Sequence, residues 1–462
     1  MTEATYEDLK FGTDGVRGVA NGDLSAYFTF RLGRAAGLLI GRATTRPHLL
    51  LGRDPRLSGD LLGCSLSAGL LSTGVSLTDL GVIPTPGVAY LTRRAGADAG
   101  AVISASHNPA PDNGIKFFGS DGRKISDELE TEMEESLPRA LHSSSPTGQS
   151  VGRLHRGDLL REEYRRFLVG ACPTRLDGLR VVVDSGNGAA SELGPSVLRE
   201  LGATVYALHC DPDGWNINQG CGALHPEDAQ RAVRQESCDL AVSFDGDADR
   251  AILADEQGRL VDGDRILAMC ALAWRDSERL PGNAVVGTVM SNVGLERGLA
   301  GHGIRFVRAP VGDRFVADRM RSEGAAVGGE KSGHILFSQL HTTGDGILTL
   351  LQVAALMVQS GRRLSELADQ IQEYPQLLVN VPVRRRRGWR DQPELWSAVR
   401  AGEARLGKEG RVLVRASGTE RIIRVMAEGP SEAEVAEIVH EIAGVVHRTM
   451  GLPPTGADAK GE

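Results

Sequence analysis

Apolar residues recur at helical spacing through LSAYFTFRLGRAAGLLIGRA, where Leu24, Phe28, Leu32, Ala36 and Leu39 share one face and predict an amphipathic helix. Short apolar runs nearby, HLLLG (48–52), SLTDL (76–80) and AGAVISA (99–105), predict strands. Strand and helix signals in alternation predict βαβ units and a mostly parallel sheet. A polar stretch, HSSSPTGQSVG (142–152), interrupts the pattern, and DLLREEYRRFLVGA resumes it as a helix, so a first domain is expected to close near residue 170.

The alternation restarts at LRVVVDSGNGAASELGPSVLRELGATVYAL and ends around CDLAVSFDGDADRAILADEQGRLVDG. A third round runs from NAVVGTVMSNVGLERGLAGHGIRFVRAP through AAVGGEKSGHILF to the helix GDGILTLLQVAALMVQSG. Three α/β segments of similar size suggest a domain-level repeat. The C-terminal part differs: a strand (LLVNVPV), a helix (PELWSAVRAGEARLG), two strands around the turn ASGTER, and a helix (SEAEVAEIVHEIAGVVHRTM). The expected fold class is α/β, with three similar α/β domains of mixed, mostly parallel sheets plus a smaller C-terminal α+β domain. The boundaries drawn from the pattern are 1–168, 169–266, 267–376 and 377–450, followed by a frayed tail at 451–462.

Composition narrows the function classes. At 462 residues the chain is too long for one core, and 41% apolar with 24% charged residues is ordinary for a globular protein. A formal charge of −8 argues against a general nucleic-acid or anionic-membrane binder. The run of Arg384, Arg385, Arg386 and Arg387 reads as a solvated strand end. Six cysteines without a Cys-x-x-Cys pair suggest neither a zinc module nor a disulfide framework, and fit a reducing cytoplasm. The acidic N-terminus has no signal-like apolar region and no run is long enough to span a bilayer, so a cytoplasmic protein without a membrane partner is expected.

Candidate chemistry concentrates in a few motifs. In FDGDADR (244–250), Asp245, Asp247 and Asp249 follow an apolar run at i, i+2, i+4, which in extended backbone points all three the same way. Three converging hard carboxylates with a phosphate oxygen suit Mg²⁺; the EF-hand pattern is missing, and the alternative is an Asp-rich turn. Ser106 follows the strand AVISA, and Asn108 with Pro109 forces a turn at the strand's exit. Residues just beyond the carboxyl ends of parallel strands line ligand crevices, so an accessible hydroxyl is expected, against the alternative of a turn serine with His107 as polar filling. FGTDGVRG (11–18) reads as a Gly-spaced loop delivering Arg17, and VRASGTERIIRV (414–425) offers Arg415, Ser417, Thr419 and Arg424 around Gly418 for a phosphate. GGEKSGH (328–334) supplies Glu330, Ser332 and His334 for sugar hydroxyls, or is simply a hairpin turn.

In this order and at these separations, FGTDGVRGVAN, VISASHNPAPDNGIKFF, FDGDADR, GGEKSGH and RASGTERIIRVMAE resemble the α-D-phosphohexomutase superfamily. LGVIPTPGVAYLTR and PDGWNINQGCGALHPE extend the similarity over nearly the whole chain. The resemblance implies four domains around a central cleft, the fourth closing over substrate. It implies a phosphorylated Ser106, one of whose phosphate oxygens joins Asp245, Asp247 and Asp249 on one Mg²⁺. Two phosphoryl transfers would interconvert glucosamine 6-phosphate and glucosamine 1-phosphate through glucosamine 1,6-bisphosphate or a similar hexose bisphosphate, supplying UDP-N-acetylglucosamine and cell-wall precursors.

By the same resemblance Arg17 and Arg250 would neutralise the transferring group, and Lys116, with His107 and His334, would handle protons. Glu330 and Ser332 would hold sugar hydroxyls, while Arg415, Ser417, Gly418 and Thr419, with Arg424, would grip the phosphate that is not reacting. The same chemistry on mannose or glucose phosphates is one alternative, and a non-catalytic phosphosugar-binding protein is another. The implied partner is a phosphosugar, with room left for a homodimer and an activating kinase. Three residues depart from the family's usual pattern: Leu224 for a small polar residue, Lys331 for Gln and Arg421 for Pro. Lys331 and Arg421 add positive charge.

Overall fold

Strands His48–Arg53, Ser76–Val82 and Ala99–Ile103 form where the apolar runs predict them, and pair in parallel. The computed structural model describes residues 10–451 apart from 13, 14, 43, 386 and 418–420. The predicted site residues Gly418 and Thr419, and the expected tail past Gly451, lie outside the described residues. These three strands sit inside a six-stranded sheet ordered Val16–Val19, Asp112–Gly119, Ala99–Ile103, His48–Arg53, Ser76–Val82, Leu154–Arg156. The first two pairings are antiparallel and the others parallel.

That edge corrects one expectation. Arg17 lies in the strand Val16–Val19 rather than in a glycine-spaced loop, because Val16 is buried opposite Ile115 and the pairing extends through Arg17 and Gly114. The strand Asp112–Gly119 carries Lys116 back antiparallel along Ala99–Ile103, opposite Val102. Against one face of the sheet core pack the helices Ala26–Ile40 and Ser58–Leu71. Their backbones approach so closely that a Cβ on Gly33 would lie 2.4 Å from Leu66 O, and one on Gly69 2.3 Å from Phe30 O. Glycine is tolerated inside these helices for that reason.

A five-stranded sheet follows, ordered Leu260–Val261, Ala251–Asp255, Leu240–Phe244, Arg180–Asp184, Thr204–Leu208. Its interior strands read VVVD and LAVSF, continuously apolar as a sheet covered on both faces requires. A four-stranded sheet comprises Arg305–Ala309, Ala284–Thr288, Val327–Gly329 and Ile335–Phe337. The last two strands are antiparallel, so GGEKSGH forms a hairpin turn between them.

The chain divides into two compact units, one of Met1–Met290 with Ile304–Gln370, the other of Ser291–Gly303 with the residues from Ile371 onward. The second unit holds a three-stranded antiparallel sheet, Gln376–Pro382, Ile422–Glu428, Arg411–Ala416, backed by helices Pro393–Leu406 and Glu432–Met450. Its core includes Val399, Ile423, Val425, Ile438 and Ile442. The helix Val293–Gly301 is tied in by buried Glu428, which accepts from Val293 N at 2.9 Å and from Arg411 Nε at 2.8 Å. The architecture is thus α/β, three mixed sheets with helices plus a smaller α+β part. No helix among the described residues is long and apolar enough to cross a membrane, and all six cysteines are free thiols.

Candidate active site

Ser106 stands just past the strand Ala99–Ile103, in left-handed backbone with φ 52°. A non-glycine residue there signals a conformation imposed by its surroundings. Its amide donates to Ser104 Oγ at 2.9 Å, and Ser104 Oγ donates to Asp54 Oδ2 at 2.6 Å. Buried Arg56, paired with Asp54 at 2.9 Å, spends its remaining donors on four backbone carbonyls: Ser106 at 3.0 Å, Asn108 at 2.8 Å, Pro109 at 2.6 Å and Asp112 at 3.0 Å. Asn218 Nδ2, from the second sheet's loops, donates to two of the same carbonyls, Ser106 at 2.9 Å and Asn108 at 3.1 Å. The turn is therefore gripped from behind by a guanidinium and an amide. The expectation of an exposed hydroxyl needs correcting: Ser106 is 1% accessible, because the aspartate loop lies over it. A Cβ on Gly246 would come within 2.6 Å of Ser106 O, so only glycine permits that approach.

The three aspartates converge, though not by the route read from their spacing. Their segment is a turn, with Ala248 at φ 56°, rather than extended backbone, and it is the curl of the chain that brings one oxygen of each within 4.8 Å of the others. All three are buried. Ser106 Oγ donates to Asp245 Oδ2 at 2.5 Å, and Thr85 Oγ1 donates to Asp247 Oδ2 at 2.6 Å. Asp247 Oδ1 and Asp249 Oδ1 are buried without a hydrogen-bond partner. Unsatisfied buried carboxylate oxygens are costly, and a divalent cation removes that cost. The donor set, all hard oxygen, fits such an ion. Burial, with Asp249 and Asp247 adding to it, raises the Asp245 carboxyl well above the usual range.

Cations and histidines surround the carboxylates. Lys116 Nζ is 3.2 Å from Asp247 Oδ2 and 3.8 Å from Asp249 Oδ2. Burial would raise Asp249, but Lys116 and then His334 hold it well below the ordinary value. Arg250 Nε is 4.0 Å from Asp245 Oδ2 and 3.8 Å from Asp249 Oδ1. His107 Nδ1 lies 3.3 Å from Ser106 Oγ, and burial, followed by Arg250 and Arg17, lowers it to about 4. Arg17 Nη1 donates to Asn108 Oδ1 at 3.4 Å. His334 Nδ1 is 3.7 Å from Asp249 Oδ2, while its Nε2 accepts from Gly344 N at 3.2 Å, so the ring carries a proton on Nδ1 toward the carboxylate. In the hairpin turn before it, Glu330 Oε1 accepts from Gly312 N at 2.9 Å, and Ser332 Oγ is buried without a hydrogen-bond partner.

The structure thus brings together Ser106, His107, Lys116, Asp245, Asp247, Asp249, Arg250 and His334, with Arg17 one residue removed through Asn108. Sequence reasoning missed Arg56, Asn218 and Thr85. Thr85 and Asn218 sit within LGVIPTPGVAYLTR and PDGWNINQGCGALHPE, segments that carried resemblance without a role, and Arg56 follows an apolar strand in GRDPR, a charged pair after a buried run. In the second unit, Arg415 and Arg424 are direct cross-strand partners. Burial and then Arg424 lower Arg415, and its Nε is buried without a hydrogen-bond partner. Like charges opposed on a sheet repel, and an anion between them relieves the repulsion. Ser417 N donates to Ile422 O at 3.0 Å, just beyond the paired residues Ala416 and Ile423 of the same two strands.

Comparison with known proteins assigns the class. Models of phosphoglucomutase/phosphomannomutase alpha/beta/alpha domains I, II and III match residues 8–142, 162–258 and 262–374, and the model of the C-terminal domain matches 378–445. The chain belongs to the phosphoglucomutase/phosphomannomutase family. It is 50% identical over 437 residues to the phosphoglucosamine mutase of Desulforudis audaxviator, covering 94% of this chain and 97% of that one. In fold it is similar to a phosphoglucomutase/phosphomannomutase family protein of Burkholderia thailandensis, with a TM-score of 0.80 at 24% identity and coverage of 96% and 98%. It is also similar to the N-acetylphosphoglucosamine mutase of Aspergillus fumigatus, solved with GlcNAc-6P and magnesium, with a TM-score of 0.68 at 20% identity and 95% coverage of each chain.

Proposed function

We propose that this chain interconverts glucosamine 6-phosphate and glucosamine 1-phosphate by two phosphoryl transfers through Ser106. The carrying observation is the Ser106 hydroxyl donating to Asp245 inside a buried three-carboxylate cluster with two unsatisfied oxygens. The choice of sugar rests on the relative that shares half of the sequence.

Asp245, Asp247 and Asp249, with an oxygen of phosphorylated Ser106, would hold one Mg²⁺, which when bound withdraws charge from the phosphoryl group. The chain's own residues do the rest. In the first transfer the bond from phosphorus to Ser106 Oγ breaks as one forms to the sugar 1-oxygen, and the sugar hydroxyl proton passes to Lys116, whose ammonium has first released a proton to solvent. The 1,6-bisphosphate turns over while bound. In the second transfer the bond from phosphorus to the sugar 6-oxygen breaks as one forms to Ser106 Oγ, and Lys116 returns the proton to the sugar 6-oxygen.

Arg17 and Arg250 supply positive charge where it is needed, since phosphoryl transfer depends on positioning and neutralisation more than on covalent catalysis. With its pKa lowered to about 4, His107 is neutral near pH 7 and serves as a hydrogen-bond partner for Oγ. His334 orients Asp249. Glu330 and Ser332 bind sugar hydroxyls. Arg415, Ser417, Gly418, Thr419 and Arg424 bind the phosphate that is not reacting, and a hexose 1,6-bisphosphate loads Ser106 at the start.

The test is a coupled assay on the 6-phosphates of glucosamine, mannose and glucose, with intact-mass measurement of the resting protein. Glucosamine 6-phosphate is expected to be preferred; a preference of about tenfold for either other sugar would reassign the substrate. Failure of hexose bisphosphate and Mg²⁺ to phosphorylate Ser106 would overturn the mechanism.

A further inference from the structure

A second group of chemistry-bearing side chains gathers away from the catalytic cluster. Asp184, His209 and Cys221 each bring one donor atom within 4.8 Å of the other two. Three separate segments deliver them: Asp184 ends the strand Arg180–Asp184, His209 follows the neighbouring strand Thr204–Leu208, and Cys221 lies in the loop that precedes the helix Glu227–Gln235. Asp184 is fully buried and Cys221 is 1% accessible.

His209 Nδ1 is 3.1 Å from Asp184 Oδ1, close enough for that carboxylate to raise the imidazole above its ordinary value against the opposing effect of burial, but without the geometry of a well-formed hydrogen bond. Two ligands of one tetrahedral ion, each bonded at about 2.0–2.2 Å, stand about this far apart. Asp184 is held in place by the amides of Gly186 on Oδ1 and Gly222 on Oδ2, both at 2.9 Å, and each carboxylate oxygen retains a second lone pair. On the far side of the imidazole, Nε2 faces Asp228 Oδ2 at 3.5 Å. A carboxylate there is the usual orienting partner of a metal-bound histidine, keeping the proton on Nε2 and the lone pair of Nδ1 turned inward.

We propose that Asp184, His209 and Cys221 form a binding site for a zinc-class divalent ion, distinct from the three-aspartate cluster. A carboxylate, an imidazole and a thiolate are a mixed donor set that Mg²⁺ and Ca²⁺ do not favour and that Zn²⁺ accepts, with water as fourth ligand. On binding, the Cys221 thiol loses its proton to solvent and its sulfur bonds to the ion. The role is structural. The same loop carries Asn218, whose amide holds the carbonyls of Ser106 and Asn108, so the ion braces the segment that grips the serine turn from behind.

The test uses the full chain, stripped of metal and returned to excess Mg²⁺, and titrated with Co²⁺ alone as an optical probe. One equivalent is expected to give thiolate-to-cobalt absorption in the near ultraviolet, and one equivalent of Zn²⁺ to displace it. Cobalt affinity should fall at least about tenfold in Cys221→Ser and in His209→Ala, and persist in Cys64→Ser. Absence of the thiolate band in the unmodified protein overturns the proposal, as does a band that survives Cys221→Ser or disappears in Cys64→Ser. The unmodified protein decides the matter even if a variant does not fold, and the readout is metal stoichiometry, so it is separate from the proposed catalytic reading.

Discussion

Two groups of side chains sit at the carboxyl ends of adjacent parallel strands in one sheet: Asp245, Asp247 and Asp249 after Leu240–Phe244, and Asp184 with His209 and Cys221 after Arg180–Asp184. Position alone does not separate them, since both occupy the edge where open α/β sheets place ligands. Their donors do. The first is all carboxylate, ringed by Lys116, Arg250 and Ser106, and its unsatisfied oxygens suit a hard ion shared with phosphate. The second mixes oxygen, nitrogen and sulfur, with no arginine or lysine within ion-pair distance of Asp184 among the described residues, and suits a borderline ion held for shape.

The sharpest way to break this contrast is to remove chemistry from the first group alone. Ser106→Ala should lower turnover by about 10⁴-fold or more and abolish the phosphate adduct in the mass spectrum. Next in size, Asp247→Asn should cost about 10²–10³-fold in kcat while leaving the thiolate–cobalt band intact. Loss of that band would mean that the two groups are one linked site.

Behind the serine turn, Arg56→Ala strands the buried Asp54 carboxylate and frees four carbonyls, so stability should drop by about 3–5 kcal/mol in a denaturant midpoint. Arg56→Lys should recover only part of this, because an ammonium cannot reproduce the planar fork. An unchanged midpoint would show that the clamp contributes nothing. In the second unit, Arg415→Ala should raise KM about tenfold with a smaller change in kcat, as expected of a residue binding the phosphate that is not reacting.

The smallest effect concerns a carboxylate that belongs to neither group. Burial, with Asp127 and Glu134 adding to it, raises Glu130 from its ordinary 4.5 to about 7. The folded protein then holds this proton more tightly than the unfolded chain, so stability from Glu130 is greatest below pH 4.5 and is lost as pH rises through about 7. Melting temperatures across that window should slope downward, less steeply in Glu130→Gln; equal slopes would contradict the shift.

Much of the fold was legible because strand and helix periods are local. The runs HLLLG and LAVSF announced buried strands, and the helix around Phe28 and Leu32 stood out by spacing. The strand holding Arg17 was not legible, since a short glycine-rich segment becomes a strand only when the partner around Ile115 is laid beside it. In GGEKSGH the pairing of Gly329 with Ile335 makes the segment a hairpin turn, and Ser332 Oγ is buried in it without a hydrogen-bond partner.

By itself the sequence determined the chemistry available: three aspartates, a serine at a strand exit, a lysine ten residues on, and motifs in an order that marks the family. Motif order is a one-dimensional property, and a short stretch of chain states its donors directly. Tertiary structure alone decided which donors meet. The curl at Ala248 converges carboxylates that extended backbone would have aligned in a row. Arg56 reaches Ser106 across fifty residues, and Asn218 reaches it across 112. Asp184, His209 and Cys221 come from three segments with no spacing signature, and meet because parallel strands end side by side. Convergence of this kind depends on distances through space, which the linear order of residues does not contain.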